Sequence, residues 1–155
     1  MSVNNPEVVV LDDNANQAQI KVIGYFNALT SSNTKIQANS LFGANTAVGQ
    51  NPILSITNAL YSTSLQGANG RVSVDFVGST NVKALQYGRY NDGEMQKYIL
   101  NNAVAPSGDL SINVEQAGPN DSFTLILTVL KENGGIIGNA IHWGAGAWAN
   151  AYVNT

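Results

Sequence analysis

"SFTLILTVLKE" (Ser122–Glu132) is apolar on both faces of any strand it forms, and turn residues bound it, "GPND" before and "NGG" after. A short run of that kind fits a strand covered on both sides at the centre of a sandwich. The segments around it read the same way. "GRVSVDFVG" (Gly70–Gly78) puts Val72, Val74 and Phe76 on one face and Ser73 and Asp75 on the other. "GDLSINVEQ" (Gly108–Gln116) repeats the alternation with Leu110, Ile112 and Val114 inward. "QIKVIGYF" (Gln19–Phe26) alternates Ile20, Val22, Gly24 and Phe26 against Lys21, Ile23 and Tyr25. This period of two is the strand signal.

Two further runs complete the pattern. "PEVVVLDDN" (Pro6–Asn14) is a β-branched run ending in turn residues, and "PILSITNALYST" (Pro52–Thr63) opens on a proline, tolerated at a strand's first position. In "NVKALQYGRYNDGEMQKYIL" (Asn81–Leu100), two alternating runs flank Asn91-Asp92-Gly93, which predicts a tight hairpin. "NSLFGANTAVGQN" (Asn39–Asn51) reads as a loop with room for one turn. No segment carries a convincing helical period. The expectation is an all-β antiparallel sandwich or jelly roll of about 7–9 strands. It divides into a sandwich over residues 1–133 and a glycine-rich C-terminal arm over 134–155.

Composition narrows the function. Charged residues are 11% of the 155, against about 25% in ordinary soluble domains. Polarity comes instead from uncharged groups, 21 asparagines among them. The net charge of −3 and seven scattered Lys and Arg form no basic stripe, so nucleic acid is not an expected partner. With no cysteine, disulfides and thiolate metal sites are excluded. "MSVNNPEVVV" lacks a secretory leader's charged start and apolar run, and no stretch reaches the roughly 20 apolar residues of a membrane span. A soluble, uncleaved chain made in the cytoplasm, with no membrane partner, is expected.

Candidate chemistry is sparse. Nucleophilic catalysis needs a base beside the nucleophile, and His142 is the only histidine, set among glycine and alanine with no G-x-S-x-G elbow. A glycosidase needs two carboxylates at a set separation; Asp75, Asp92 and Glu94 are candidates, although the last two flank Gly93 where a solvated turn is simpler. Asp12, Asn14 and Asn16 begin like a calcium loop, but Gln17 stands where glycine is required and Ile23 where a bidentate glutamate is required. A turn is the better reading. Sugar binding would use exposed aromatics such as Tyr87, Tyr90 and Tyr98, with Tyr87 and Tyr98 facing each other across the predicted hairpin; cross-strand packing explains them equally well. No enzyme activity, metal or cofactor is expected.

The ribbon "GNAIHWGAGAWANAYVNT" (Gly138–Thr155) holds both tryptophans. Burying Trp143, Trp148 and the nearby isoleucines does not offset the cost of ordering so glycine-rich a segment unless its backbone also pairs. It is expected either to close its own sheet or to dock on a neighbour. Trp143, Trp148, Tyr152 and His142 are the expected contact residues, with "SVNNPE" (Ser2–Glu7) second.

"NNPEVVVLDDNANQAQIKVIGYF" (Asn4–Phe26), "YGRYNDGEMQKYILNNAVAPSGDL" (Tyr87–Leu110), "NDSFTLILTVLKENG" (Asn120–Gly134) and "WANAYVNT" (Trp148–Thr155) resemble small virion structural proteins of marine tailed bacteriophages. The resemblance spans most of the chain and rests on overall pattern, with no catalytic or metal motif. It implies a virion location and a capsid decoration role, bridging neighbouring subunits. The implied partners are the major capsid protein or another virion protein, and further copies of the chain, for which a trimer on a local symmetry axis is one form. The alternative is a carbohydrate-binding β-sandwich module on a phage particle.

Overall fold

The structure, a computed structural model, describes residues 3–14, 16–41 and 52–133. They form nine strands: β1 (Glu7–Asp13), β2 (Gln17–Tyr25), β3 (Thr30–Ile36), β4 (Pro52–Ser64), β5 (Arg71–Phe76), β6 (Val82–Tyr87), β7 (Asp92–Met95), β8 (Leu110–Ala117) and β9 (Ser122–Asn133). One 3-10 turn, Ala38–Ser40, overlaps the start of the segment expected to be loop, whose residues 42–51 lie outside the described ones. The strands make a five-stranded sheet ordered β1-β2-β9-β4-β7 and a four-stranded sheet ordered β3-β8-β5-β6.

That order settles the architecture. β2 pairs β9, β3 pairs β8, β4 pairs β7 and β5 pairs β6, all antiparallel. The pairs nest, so strands β2 to β9 are one long hairpin with its tip at β5–β6, rolled up until its successive rungs fall alternately in the two sheets. This is a jelly roll, with β1 added at the edge beside β2. Rolling a hairpin buries one face of each sheet against the other.

The predicted hairpin over 81–100 is corrected by this topology. β6 lies in the four-stranded sheet and β7 in the five-stranded one, because they are consecutive strands of one arm of the roll. The chain turns at residues 88–91, not at Gly93. Tyr90 takes a φ of 47°, and Asn91 Oδ1 accepts the Gly88 amide at 2.6 Å. Thr63 on β4 then donates its hydroxyl to Gly88 O at 2.8 Å, pinning the crossover to the five-stranded sheet.

Between the sheets lies a continuous core that includes Ile20, Val22, Phe26, Leu54, Ile56, Val74, Phe76, Leu110, Ile112, Leu125 and Leu127. The expected inward positions of β2, β5 and β8 are all there. Phe26 and Phe123 stack with centroids 6.3 Å apart. β9 is central between β2 and β4, and its inward residues are Phe123, Leu125, Leu127, Val129 and Lys131, all buried. Its other face carries Thr124, Ile126, Thr128 and Leu130, half-buried. Ser73 alternates outward as expected, yet it is buried on that outer face.

Candidate functional site

Four elements of the surface could carry recognition. The first is β1, the outer strand of the five-stranded sheet among the described residues. Its register with β2 sets Val8 and Val10 on the inner side and Val9 with Lys21 on the outer side. The ladder slips at Leu11, a β-bulge between Val10 and Asp12. Val9, Val10 and Leu11 remain 36, 47 and 47% exposed. The strand ends in a turn built by Asn14, whose side-chain oxygen accepts the amides of Asn16 and Gln17 at 3.0 and 3.1 Å. That bonding occupies the carboxamide expected of a calcium loop, and Asp13 turns inward to Lys131. Among the described residues no three His, Cys, Asp or Glu gather as a metal group.

The second is the outer face of the five-stranded sheet. One row crosses all five strands: Val9, Lys21, Ile126, Leu60 and Glu94. The adjacent row is Glu7, Ile23, Thr124, Ser62 and Asp92. In these two rows uncharged side chains occupy β9 and β4, Lys21 is a cation on β2, and the acidic groups Glu7, Asp92 and Glu94 stand on the outer strands.

A strap over residues 96–104 runs beside β4, joined by a bridge between Ile56 and Ile99. It is fixed by polar contacts. Tyr98 donates to Glu132 Oε1 at 2.7 Å, Ser55 donates to Glu132 Oε2 at 2.5 Å, and the Asn101 amide reaches Ser55 Oγ at 2.9 Å. Partial burial, with Glu132 accepting its proton, pushes the Tyr98 phenol up to about 12. These hydrogen bonds hold the strap against β4 and β9.

The fourth is an open hollow on the outer face of the four-stranded sheet, lined by Ser32, Asn33, Ser73, Asp75, Lys83 and Asn113 among others. Asn33 Nδ2 donates to Ser111 Oγ at 2.5 Å and to Asn113 Oδ1. Two oxygens beside it, Ser32 Oγ and Asp75 Oδ1, are buried with no protein partner.

The carboxylates singled out for hydrolysis separate. Asp75 belongs to the four-stranded sheet, Asp92 and Glu94 to the other. Glu94 takes hydrogen bonds from Asn58 at 3.1 Å and Gln96 at 3.0 Å. The tyrosines separate too, so Tyr87 and Tyr98 do not face each other. Tyr87 stacks on Tyr61 with centroids 3.9 Å apart, Tyr98 sits on the strap, and Tyr90 is exposed with the Arg89 guanidinium 5.7 Å from its ring. Burial, reinforced by Tyr61, raises the Tyr87 phenol to about 12. The expected contact residues His142, Trp143, Trp148 and Tyr152 lie outside the described residues. Of the second choice, Val3–Glu7 is described, and it is committed to its own chain: Asn4 and Asn27 exchange hydrogen bonds at 2.7 and 3.0 Å. The β1 edge was missed in the sequence. Its signal is the unbroken Val8–Leu11 run, which does not alternate as a strand with one buried face should.

No helix among the described residues is long and apolar enough to cross a membrane. No family model and no curated protein matches the chain. Among solved structures it is similar to that of infectious bursal disease virus, Gx strain, at 19% identity over 86% of this chain and 33% of that one, with a TM-score of 0.33. It is also similar to the capsular polysaccharide assembling protein CapF of Staphylococcus aureus, at 14% identity over 79% of this chain and 30% of that one, with a TM-score of 0.23. The chain spans about a third of the length of each. Likeness at this level speaks to neither family nor function.

Proposed function

We propose that this chain is a structural protein of a tailed-phage virion, a decoration protein that sits on the capsid shell and bridges neighbouring subunits. The observation that carries the reading is the nested jelly roll with broad, low-charge outer faces. Jelly rolls recur in viral capsid and lectin domains, so the fold contributes by analogy and the surface decides. Faces of Thr, Ser, Asn and Gln with an apolar middle can meet a protein shell without desolvating many ions. Among the described residues, the carboxylates considered for hydrolysis lie in different sheets, Asp75 in one and Asp92 and Glu94 in the other, which supports a contact role. The partner is the major capsid protein or another virion protein, the contacts come from Trp143, Trp148, Tyr152 and His142, and the chain also meets copies of itself. Contact area gained only on the assembled shell would shift the equilibrium toward assembly.

The test is quantitative mass spectrometry of gradient-purified particles, with immunogold labelling by antibodies to the chain. The reading expects many copies per particle and label on the shell. A chain abundant in the lysate and absent from purified particles would sink it.

A second reading, glycan binding, draws on one observation: the open hollow lined by the polar side chains of Ser32, Asn33, Ser73, Asp75, Lys83 and Asn113. Hydroxyl donors of a sugar suit such acceptors. A glycan array read with the wild type and Asp75→Ala separates the two, since a purely structural subunit gives no sugar-dependent signal.

A further inference from the structure

One end of the roll is tied together by a single buried carboxylate. Asp121 lies in the β8–β9 turn and is 1% exposed. Its Oδ1 accepts the Gln66 amide of the β4–β5 connection at 3.1 Å, and its Oδ2 accepts the Gly118 amide at 2.8 Å. Its carbonyl accepts the Phe26 amide at 2.9 Å, where β2 passes into β3. Three connections are thereby fixed around an open hollow of about 400 Å³, within the size range of small-ligand sites. Leu29, Gln66, Asn69, Gln116 and Pro119 line it with Asp121. β4 and β9 pair from Ser64–Ser122 at this end to Pro52–Asn133 at the other, and Pro52 and Asn133 are the described residues next to segments 42–51 and 134–155.

Gln116 singles the hollow out. Glu115 and Gln116 together oppose Ser31 alone, a bulge in the β3–β8 ladder, and Gln116 takes a φ of 57°. Glycine would adopt that backbone without strain. A glutamine here carries a backbone cost, and its side chain makes no hydrogen bond within the described residues to offset it. The carboxamides of Gln66 and Asn69 are equally uncommitted, although their backbones are engaged. We propose that this hollow binds a neutral saccharide, with the three carboxamides as its hydrogen-bonding partners.

The lining selects that class. It holds no Lys, Arg or His, and its one ionisable group is the Asp121 carboxylate, so phosphates and acidic sugars are disfavoured. No three His, Cys, Asp or Glu gather among the described residues to hold a metal. A carboxamide both donates and accepts, as a sugar hydroxyl does, so neighbouring hydroxyls can pair with both of its ends. Leu29, 72% exposed, and Pro119 offer apolar contact to the C–H face of a ring. An added peptide strand would hydrogen-bond along a sheet edge, whereas turns frame this hollow and suit a compact ligand. The inference goes beyond the virion reading and does not rest on it.

The test is binding of the full chain to an array of neutral, sialylated and sulfated oligosaccharides, followed by titration of the strongest neutral one. The wild type is expected to bind neutral members and not acidic ones. Gln116→Gly removes the side chain and relieves the backbone, so it should weaken binding about 3–10-fold while the melting temperature stays level or rises. Gln66→Ala should weaken binding by a similar factor. Asp75→Ala, in the hollow on the four-stranded sheet, should leave it unchanged. No binding to any neutral glycan overturns the proposal. So does binding that Asp75→Ala abolishes and Gln116→Gly spares, which moves the site to the other hollow. Full affinity in both Gln116→Gly and Gln66→Ala overturns it as well. Particle composition plays no part, so this can fail while the virion reading stands.

Discussion

The ammonium of Lys131 lies 2.5 Å from Asp13 Oδ1, with the lysine side chain fully buried and the carboxylate partly exposed. β9 alternates so that Lys131 continues the inward row of Phe123, Leu125, Leu127 and Val129. Its Nζ also donates to Asn14 O at 2.5 Å, and its amide donates to Asn16 O at 2.9 Å. One residue thus ties the β1–β2 turn to the central strand. Removing one member of a buried pair strands the other charge, which costs about 3–5 kcal/mol. Asp13→Ala is expected to lower unfolding free energy by about that much in urea. Lys131→Met with Asp13→Ala should recover most of the loss; a double variant no better than Asp13→Ala would refute the pairing argument.

The stacked pair Tyr61–Tyr87 makes a second prediction. The Tyr87 hydroxyl is buried without a hydrogen-bond partner, so Tyr87→Phe should leave stability unchanged or raise it slightly. Tyr87→Ala, which empties the space beside Tyr61, should cost about 3–5 kcal/mol. Equal losses in the two variants, by thermal or urea denaturation, would contradict the role of packing.

Alkaline pH offers a third. Tyr87 and Tyr98 are both raised from 10.0 to about 12 by burial, with Tyr61 and Glu132 as the respective second causes. A raised phenol favours the neutral form in the folded state. The stabilisation is complete below pH 10 and is lost as pH rises from 10 toward 12. Ultraviolet titration of tyrosinate should show these two ionising last while the chain stays folded. Tyr87→Phe should remove one late step and flatten the loss of stability. Six tyrosines ionising together near 10 would contradict the burial.

Backbone approach gives a fourth. A methyl group on Gly78 would run into the Val104 carbonyl, which is held because the Ser79 amide donates to it at 2.8 Å. On Gly118 the nearest atom would be an ordinary 3.8 Å away. Gly78→Ala should cost about 1–3 kcal/mol and loosen the 103–107 segment in hydrogen exchange. Gly118→Ala should lie within about 0.5 kcal/mol of wild type.

The strand segments were legible because alternation is local. Val72, Val74 and Phe76, or Leu110, Ile112 and Val114, declare one buried face through nothing but their own spacing. Ser122–Glu132 declares a central strand by being apolar on both sides. Pairing is not local. β6 and β7 look like a hairpin in the sequence, yet their true partners are β5 and β4, since rolling the long hairpin sends successive rungs to opposite sheets. Lys131 and Asp13 stand 118 positions apart, and no spacing rule joins them. The β1 edge shares that origin. Val9, Val10 and Leu11 are merely apolar in the sequence, and become a candidate surface because, among the described residues, the five-stranded sheet ends at β1. Composition and periodicity determined the fold class of this protein and its low content of charged residues. Which strands meet and which lysine is buried were decided by tertiary structure, because each depends on closing loops between residues far apart in the chain.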